Sequence, residues 1–255
     1  MMPTALRAGR IAVFYIALVG LWQLLAMSGL WASYIFPSPV DVYREFISIA
    51  SDGELPHALR TTMQRMAIGY SLSIVVGVVL GLAMGARRVV NDTLGSLVLG
   101  VQSVPSITWL PLALLWFGLS ERAIIFVVLM GSVCSVAIST RAGVRAIPPL
   151  LTRAAQMFGA SRIQMYRLVV LPGILPAMVQ GLRLGWSFAW RSLLAAELLY
   201  VSASLGHLLG VGRDFNNVSL IVAVMLVIVV IGVIMDRLVF GQLEGWVHRR
   251  WGLTD

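Results

Sequence analysis

Lysine is absent from this chain, and cysteine occurs once, at Cys134. Without a lysine there is no G-x-x-x-x-G-K-[ST] phosphate loop, so the chain carries no P-loop ATPase of its own. A single cysteine cannot form an intrachain disulfide, and its place in an apolar run reads as a small buried hydrophobe. Charge is scarce as well: 12% of the 255 residues are charged against 59% hydrophobic, and the mean hydropathy is +0.90. That leaves too little polar surface for a soluble globule of this length and assigns the chain to a bilayer.

The net charge is +8, and all nineteen basic residues are Arg. They are scattered between apolar spans and form no basic, aromatic-laced face, which excludes nucleic acid as a partner. Three His and one Cys lie far apart without ligand spacing, so no metal site is expected. Ser204 and His207 lack both an orienting acid and a G-x-S-x-G context, so a hydrolytic enzyme is rejected and no catalytic residue is assigned.

About 20 apolar residues are needed to cross the hydrocarbon core. Six stretches meet or approach this, at 11–27, 64–85, 95–117, 122–140, 171–199 and 218–238. They are too continuous for barrel strands, which predicts an all-α membrane protein with one transmembrane domain over 1–255. Arg7 and Arg10 before the first stretch resemble a signal peptide, but the long apolar run without a small-x-small site favours a retained helix.

Arginine placement orients the chain. With the N-terminus cytoplasmic, Arg7, Arg10, Arg87, Arg88, Arg141, Arg145, Arg153, Arg162, Arg167, Arg237, Arg249 and Arg250 fall inside. Outside loops keep Arg44, Arg60, Arg122 and Arg213 beside Asp41, Glu45, Asp52, Glu54, Glu121 and Asp214. The positive-inside rule then puts both termini and residues 141–170 in the cytoplasm.

Within that loop, "RAAQMFGASRIQMYRLVVLPGILP" (153–176) interrupts the apolar pattern. Thr152 is a plausible cap for a short helix from Arg153 to Phe158, with small Ala154 and Ala155 permitting close approach and Met157 and Phe158 as apolar knobs. Gly159 supplies a break with free φ, and a second helix runs over about Ser161 to Val169. Pro172 and Pro176 then predict a sharp turn into the fifth span. Two readings fit the residues: a rigid docking knob, or an amphipathic helix lying on anionic headgroups.

The same run resembles the cytoplasmic EAA loop of permease subunits of binding-protein-dependent ABC importers. Ala154, Ala155, Gly159, Ala160, Leu171, Pro172 and Pro176 match its pattern, while Arg153 stands where the family has Glu. A carboxylate suits a helix N-terminus and an Arg does not, so the contact usually made by the Glu must differ. "VPSITWLPLALLWFGLSE" (104–121), "GLRLGWSFAWRSLLAAELL" (181–199), "SLGHLL" (204–209) and "FPSPVDV" (36–42) are similar to the nitrate, sulfonate, taurine and bicarbonate branch.

The resemblance implies a type I ABC importer permease fold of about six transmembrane helices with a cytoplasmic coupling helix in the inner membrane. It implies a second permease copy, two ATPase subunits that use ATP and Mg, and an extracytoplasmic substrate-binding protein; this chain would bind no cofactor. ATPase coupling would fall to Arg153, Ala154, Ala155, Met157, Phe158, Gly159, Ala160, Ser161, Pro172 and Pro176. A secondary transporter or a channel not coupled to an ATPase is the alternative, weakened by the lack of an internal repeat.

Intramembrane charges mark the candidate pathway, because they are costly unless paired or wetted. At 100° per residue, Arg183 and Glu197 of the fifth span lie about 40° apart and Arg191 about 80° from Arg183, near Trp186, Ser187 and Trp190. Two readings stand: this face lines the pathway, with Arg191 attracting an anion and Trp190 shaping the passage, or Arg183 snorkels or caps at the cytoplasmic end while Arg191 and Glu197 pair structurally with other helices. Pro105 and Pro111 predict a break or kink that makes Ser106, Thr108 and Trp109 further pathway candidates. His207 and Arg213, in an outside loop, are candidates for binding-protein or gate contact. Gly69, Gly77, Gly81 and Gly85 form a small face suited to close helix packing.

Overall fold

The computed structural model describes residues 4–250, and the side chains of Arg7 and Arg250 lie outside the described residues. The described elements are helical. Helix α1 (Thr4–Met27) is followed by α2 (Pro39–Ser51), α3 (Glu54–Ala86) and α4 (Arg88–Ser103). A 3-10 turn (Ser106–Trp109) leads into α5 (Leu110–Phe117), then α6 (Glu121–Ala146), α7 (Pro149–Met157) and α8 (Arg162–Met165). After a π-helical turn (Tyr166–Val170) come α9 (Leu171–Glu197), α10 (Leu205–Asp214) and α11 (Val218–Ile234). A second π-helical turn (Met235–Phe240) joins α11 to α12 (Gly241–Arg250).

Among the described residues, five helical stretches are long and apolar enough to cross a membrane, and the bent pair α4 and α5 makes a sixth. The pair is bent by 97° at Pro105. A Pro cannot continue the hydrogen-bond ladder, so the third span is two half-helices rather than one rod. Pro111 causes no kink, because it lies in the first turn of α5, where a missing N–H removes no bond.

Helix α3 starts at Glu54, ten residues before the apolar run that marks the span in the sequence. Its first turns carry His57, Arg60, Thr61, Thr62 and Arg65, whose polarity hides the helix from a hydropathy reading. Residues 39–51, expected as loop, fold into α2. Pro39 opens it at N1, and Ser38 and Asp41 form a reciprocal capping box in which the Ser38 Oγ accepts from the Asp41 N–H at 3.2 Å.

The core is a three-helix layer with α6 between α3 and α9. On one side Gly69, Gly77, Gly81 and Gly85 of α3 meet Val128, Val136, Thr140 and Val144 of α6. The approach is close: a Cβ on Gly81 would lie 2.6 Å from the Ala137 carbonyl oxygen. On the other side, Gly131 of α6 faces Ser192 of α9, and Gly181 of α9 faces Ser139. Small residues let these backbones approach, which is how helices gain packing where lipid removes the hydrophobic driving force. By contrast, the α1 span from Gly9 to Met27 is unburied within the chain. It is tied back by Trp22, whose Nε1–H donates to the Pro37 carbonyl at 3.0 Å.

Candidate functional site

The segment 149–176 differs locally from its expectation. Helix α7 begins at Pro149, and Thr152 is not a cap: it lies inside the helix and its Oγ1 donates to the Pro149 carbonyl at 2.9 Å. Pro149 at N1 opens the helix without a side-chain cap. At the other end Gly159 has φ 72°, the Gly159 N–H reaches Gln156 O and the Ala160 N–H reaches Ala155 O, both at 3.0 Å. This is a Schellman closure with glycine in the left-handed position. Ser161 then caps α8 through a box with Gln164.

No sharp turn follows. From Arg162 to Glu197 the chain runs as one 36-residue stretch. Pro172 has no N–H for residue 168 and its ring crowds that carbonyl, so the preceding turn widens to the π register at Tyr166–Val170 instead of bending away. The segment therefore stays in line with α9. At its tip Met157 and Phe158 are 88% and 92% exposed, Arg153, Gly159 and Ser161 are exposed, and Ala154, Ala155 and Ala160 are half-buried. Two large apolar side chains this bare make an exposed apolar tip at the closed end of α7.

The pathway candidates divide into three environments. Arg183, Trp186, Ser187, Trp190 and Arg191 of α9 line one cleft of about 190 Å³ with Asp236 of the second π turn. Arg183 holds Asp236 in a fork, Nε to Oδ1 at 2.6 Å and Nη2 to Oδ2 at 2.8 Å, and its Nη1 reaches Glu244 at 3.2 Å. Trp186 and Trp190 stack with rings 6.2 Å apart. Arg191 donates from Nε to the Ser187 carbonyl at 3.1 Å and lies 5.4 Å from the Phe188 ring, and among the described residues no carboxylate pairs with it. It is exposed in the chain.

Phe188 also walls a smaller cleft of about 100 Å³ with Gln102, Ser106, Gly131 and Ser135, beneath the break in the third span. Thr108 is exposed and Trp109 half-buried on the same 3-10 turn, outside this lining.

Glu197 does not join the cleft. Its side chain is fully buried at the other end of α9 and accepts from Arg65 Nη1 at 2.9 Å, Thr62 Oγ1 at 2.9 Å and the Gly206 N–H at 3.2 Å. Arg65 in turn donates from Nε to Glu121 at 2.6 Å and from Nη2 to Ser202 at 3.0 Å, with Tyr200 against its guanidinium at 5.3 Å. Thr62 Oγ1 accepts the Leu205 N–H at 3.0 Å. Helices α3, α6 and α9 are thus joined through one buried cation, and α10 is tied to them through Thr62 and Glu197. Arg65 went unread in the sequence, although an Arg inside a span is itself the signal.

At the same end, His207 borders an open cleft of about 470 Å³ with Asp52, Glu54 and His57. Ser204 is the N-cap of α10, its Oγ accepting the His207 N–H at 3.3 Å, so the two residues meet through the backbone. Arg213 is exposed and pairs with Asp214 at 3.0 Å. Among the described residues no cluster of His, Cys, Asp or Glu could hold a metal ion.

Residues 73–243 match the family described as binding-protein-dependent transport system inner membrane component. The chain belongs to that permease family. It is similar to the taurine transport system permease protein of Escherichia coli, 30% identical over 224 residues that cover 86% of this chain and 82% of the relative. The putative aliphatic sulfonates transport permease protein of the same organism is 31% identical over 236 residues, covering 92% and 89%. A crystal structure of an amino acid ABC transporter with histidines shares the fold at a TM-score of 0.60 and 19% identity, covering 80% of this chain and 98% of that one.

Membership makes the chain a multi-pass inner-membrane permease of an ABC importer, and sets aside the uncoupled transporter or channel. Permeases of this family work in general with an ATPase and a substrate-binding protein, and the relatives are transport subunits.

Proposed function

We propose that this permease passes a small solute that carries an oxyanion group, of the sulfonate, taurine, nitrate or bicarbonate class, and that Arg191 attracts that group. The observation that carries this reading is Arg191 itself, an exposed arginine within a membrane span with no carboxylate partner among the described residues. An unpaired charge facing lipid is strongly disfavoured, so such a side chain belongs on a wetted path or at a contact between subunits. The names of the taurine and sulfonate transport relatives support the same substrate class.

Two copies of the chain form the pathway, each with Arg183, Trp186, Ser187, Trp190 and Arg191 on it, and Ser106, Thr108 and Trp109 at the broken span. Glu197 is a structural partner of Arg65 and not a substrate contact. Two ATPase subunits bind ATP and Mg, and this chain binds no cofactor and performs no catalysis. Helix α7 with Met157 and Phe158 docks into an ATPase, while Gly159, Pro172 and Pro176 set the geometry that carries its movement into α9. The continuous helical run from Arg162 to Glu197 supports such transmission, since it links the cytoplasmic segment directly to α9.

Both termini face the cytoplasm, as the arginine distribution supports. The binding protein then docks on the opposite face, around His207 and Arg213. The test is ATP-dependent uptake of labelled taurine, ethanesulfonate and nitrate into proteoliposomes holding the chain, its ATPase and its binding protein. Uptake of at least one is expected; uptake driven by an ion gradient through the chain alone would contradict the reading.

A further inference from the structure

The carboxylate of Asp236 occupies the Arg183 fork as an incoming oxyanion would. Two parallel N–H···O bonds, at 2.6 and 2.8 Å, join Nε and Nη2 to its two oxygens. Sulfonate, nitrate and bicarbonate present the same pair of oxygens, and Arg recognises such groups by this geometry. Asp236 sits on the cleft that also exposes Arg191, so a solute drawn to Arg191 arrives beside an occupied fork.

The pair is built to part. Arg183, Asp236 and Glu244 are 37%, 47% and 26% exposed within the chain, so separating them strands no charge in the bundle interior. Asp236 stands on a π-helical turn, where the backbone ladder is already out of α register. Besides the fork, the inner ends of α11 and α12 meet α9 through Gln180, whose Nε2 donates to Glu244 at 2.6 Å, and through Trp186 against Phe240 at 6.3 Å between rings. Gly232, one turn before Asp236, has open space around it. The buried Arg65 and Glu197 pair at the other end of α9 offers none of this freedom.

We infer that Asp236 is a tethered stand-in for the transported anion: the solute exchanges with it on Arg183, and the exchange frees the inner end of α11 and α12 from α9. The exchange makes Arg183 and Asp236 specificity-determining residues that favour solutes with two coplanar or near-coplanar acceptor oxygens over spherical halides. It rests on the reading of the chain as an anion permease and deepens it.

The test uses the purified full-length chain and ethanesulfonate, with binding followed by tryptophan fluorescence. Asp236→Asn removes the competing charge and is expected to tighten ethanesulfonate binding by at least about tenfold, since a site held shut by an internal ligand binds in proportion to its open fraction. Asp236→Glu should stay near the unmodified chain, and Arg183→Lys, which keeps the charge without the fork, should lose the preference over chloride. Equal or weaker binding by Asp236→Asn than by Asp236→Glu would overturn the inference. A second measurement needs no variant: saturating ethanesulfonate should raise amide hydrogen exchange at residues 235–244, and unchanged or greater protection there would equally overturn it. Failure of the assembled complex to import any anion would remove the functional reading, whereas these two measurements report the exchange in the chain itself.

Discussion

Arg65 and Glu197 lie 132 positions apart in the sequence, and their side chains meet at 2.9 Å in the bundle interior, 4% and 0% exposed. Removing one member of such a pair leaves an uncompensated buried charge, at a cost of about 3 to 5 kcal/mol. Glu197→Ala should therefore sharply lower the amount of folded protein in the membrane, measured by thermal unfolding in detergent. Glu121→Ala, at a carboxylate 52% exposed, should cost far less because Arg65 keeps Glu197. Equal losses from the two variants would contradict the division between buried and half-wetted partners.

The interface of α3 with α6 predicts a second contrast. A Cβ on Gly81 would meet Thr140 Cβ and the Ala137 carbonyl oxygen well inside contact distance, and a backbone oxygen cannot rotate away. Gly81→Val should destabilise the bundle by at least about 1 to 3 kcal/mol. Gly100, where an added Cβ would meet no neighbouring atom within 4 Å, is the control: Gly100→Ala should leave the melting temperature unchanged or slightly raised.

Gly159 separates backbone strain from packing. Nothing lies near a Cβ built there, so the cost of Gly159→Val arises from φ 72° alone, about 1 to 2 kcal/mol for an L-residue in the left-handed region. The expected outcome is normal insertion and abundance with loss of uptake and of transport-stimulated ATP hydrolysis, because the Schellman closure that sets the angle between α7 and α8 opens. Wild-type stimulated hydrolysis in this variant would count against α7 as the coupling element.

Hydropathy made the spans legible, and the four-residue glycine rhythm from Gly77 to Gly85 made the α3 packing face legible, because both follow from one helix at a time. The break after α7 was legible too, because Gly159 takes the left-handed φ that a glycine permits. What escaped was set by more than one helix. A helical wheel put Glu197 within about 40° of Arg183, yet it carries no information about what lies opposite each level of the helix. Arg183 meets Asp236 and Glu244 near one end, and Glu197 meets Arg65 near the other. Likewise the π turn before Pro172 replaced the expected sharp turn because a widened turn relieves the same clash while the helical run continues.

The central claim is an anion path marked by Arg191, and the most direct test is uptake by the assembled transporter carrying Arg191→Gln. The side chain holds no carboxylate partner among the described residues, so its loss should leave assembly and melting temperature unchanged. Uptake of labelled ethanesulfonate should fall by about tenfold or more, the effect of losing one charge-assisted contact, with partial recovery in Arg191→Lys. Full uptake by Arg191→Gln, with the complex assembled and ATP-driven, would contradict the account.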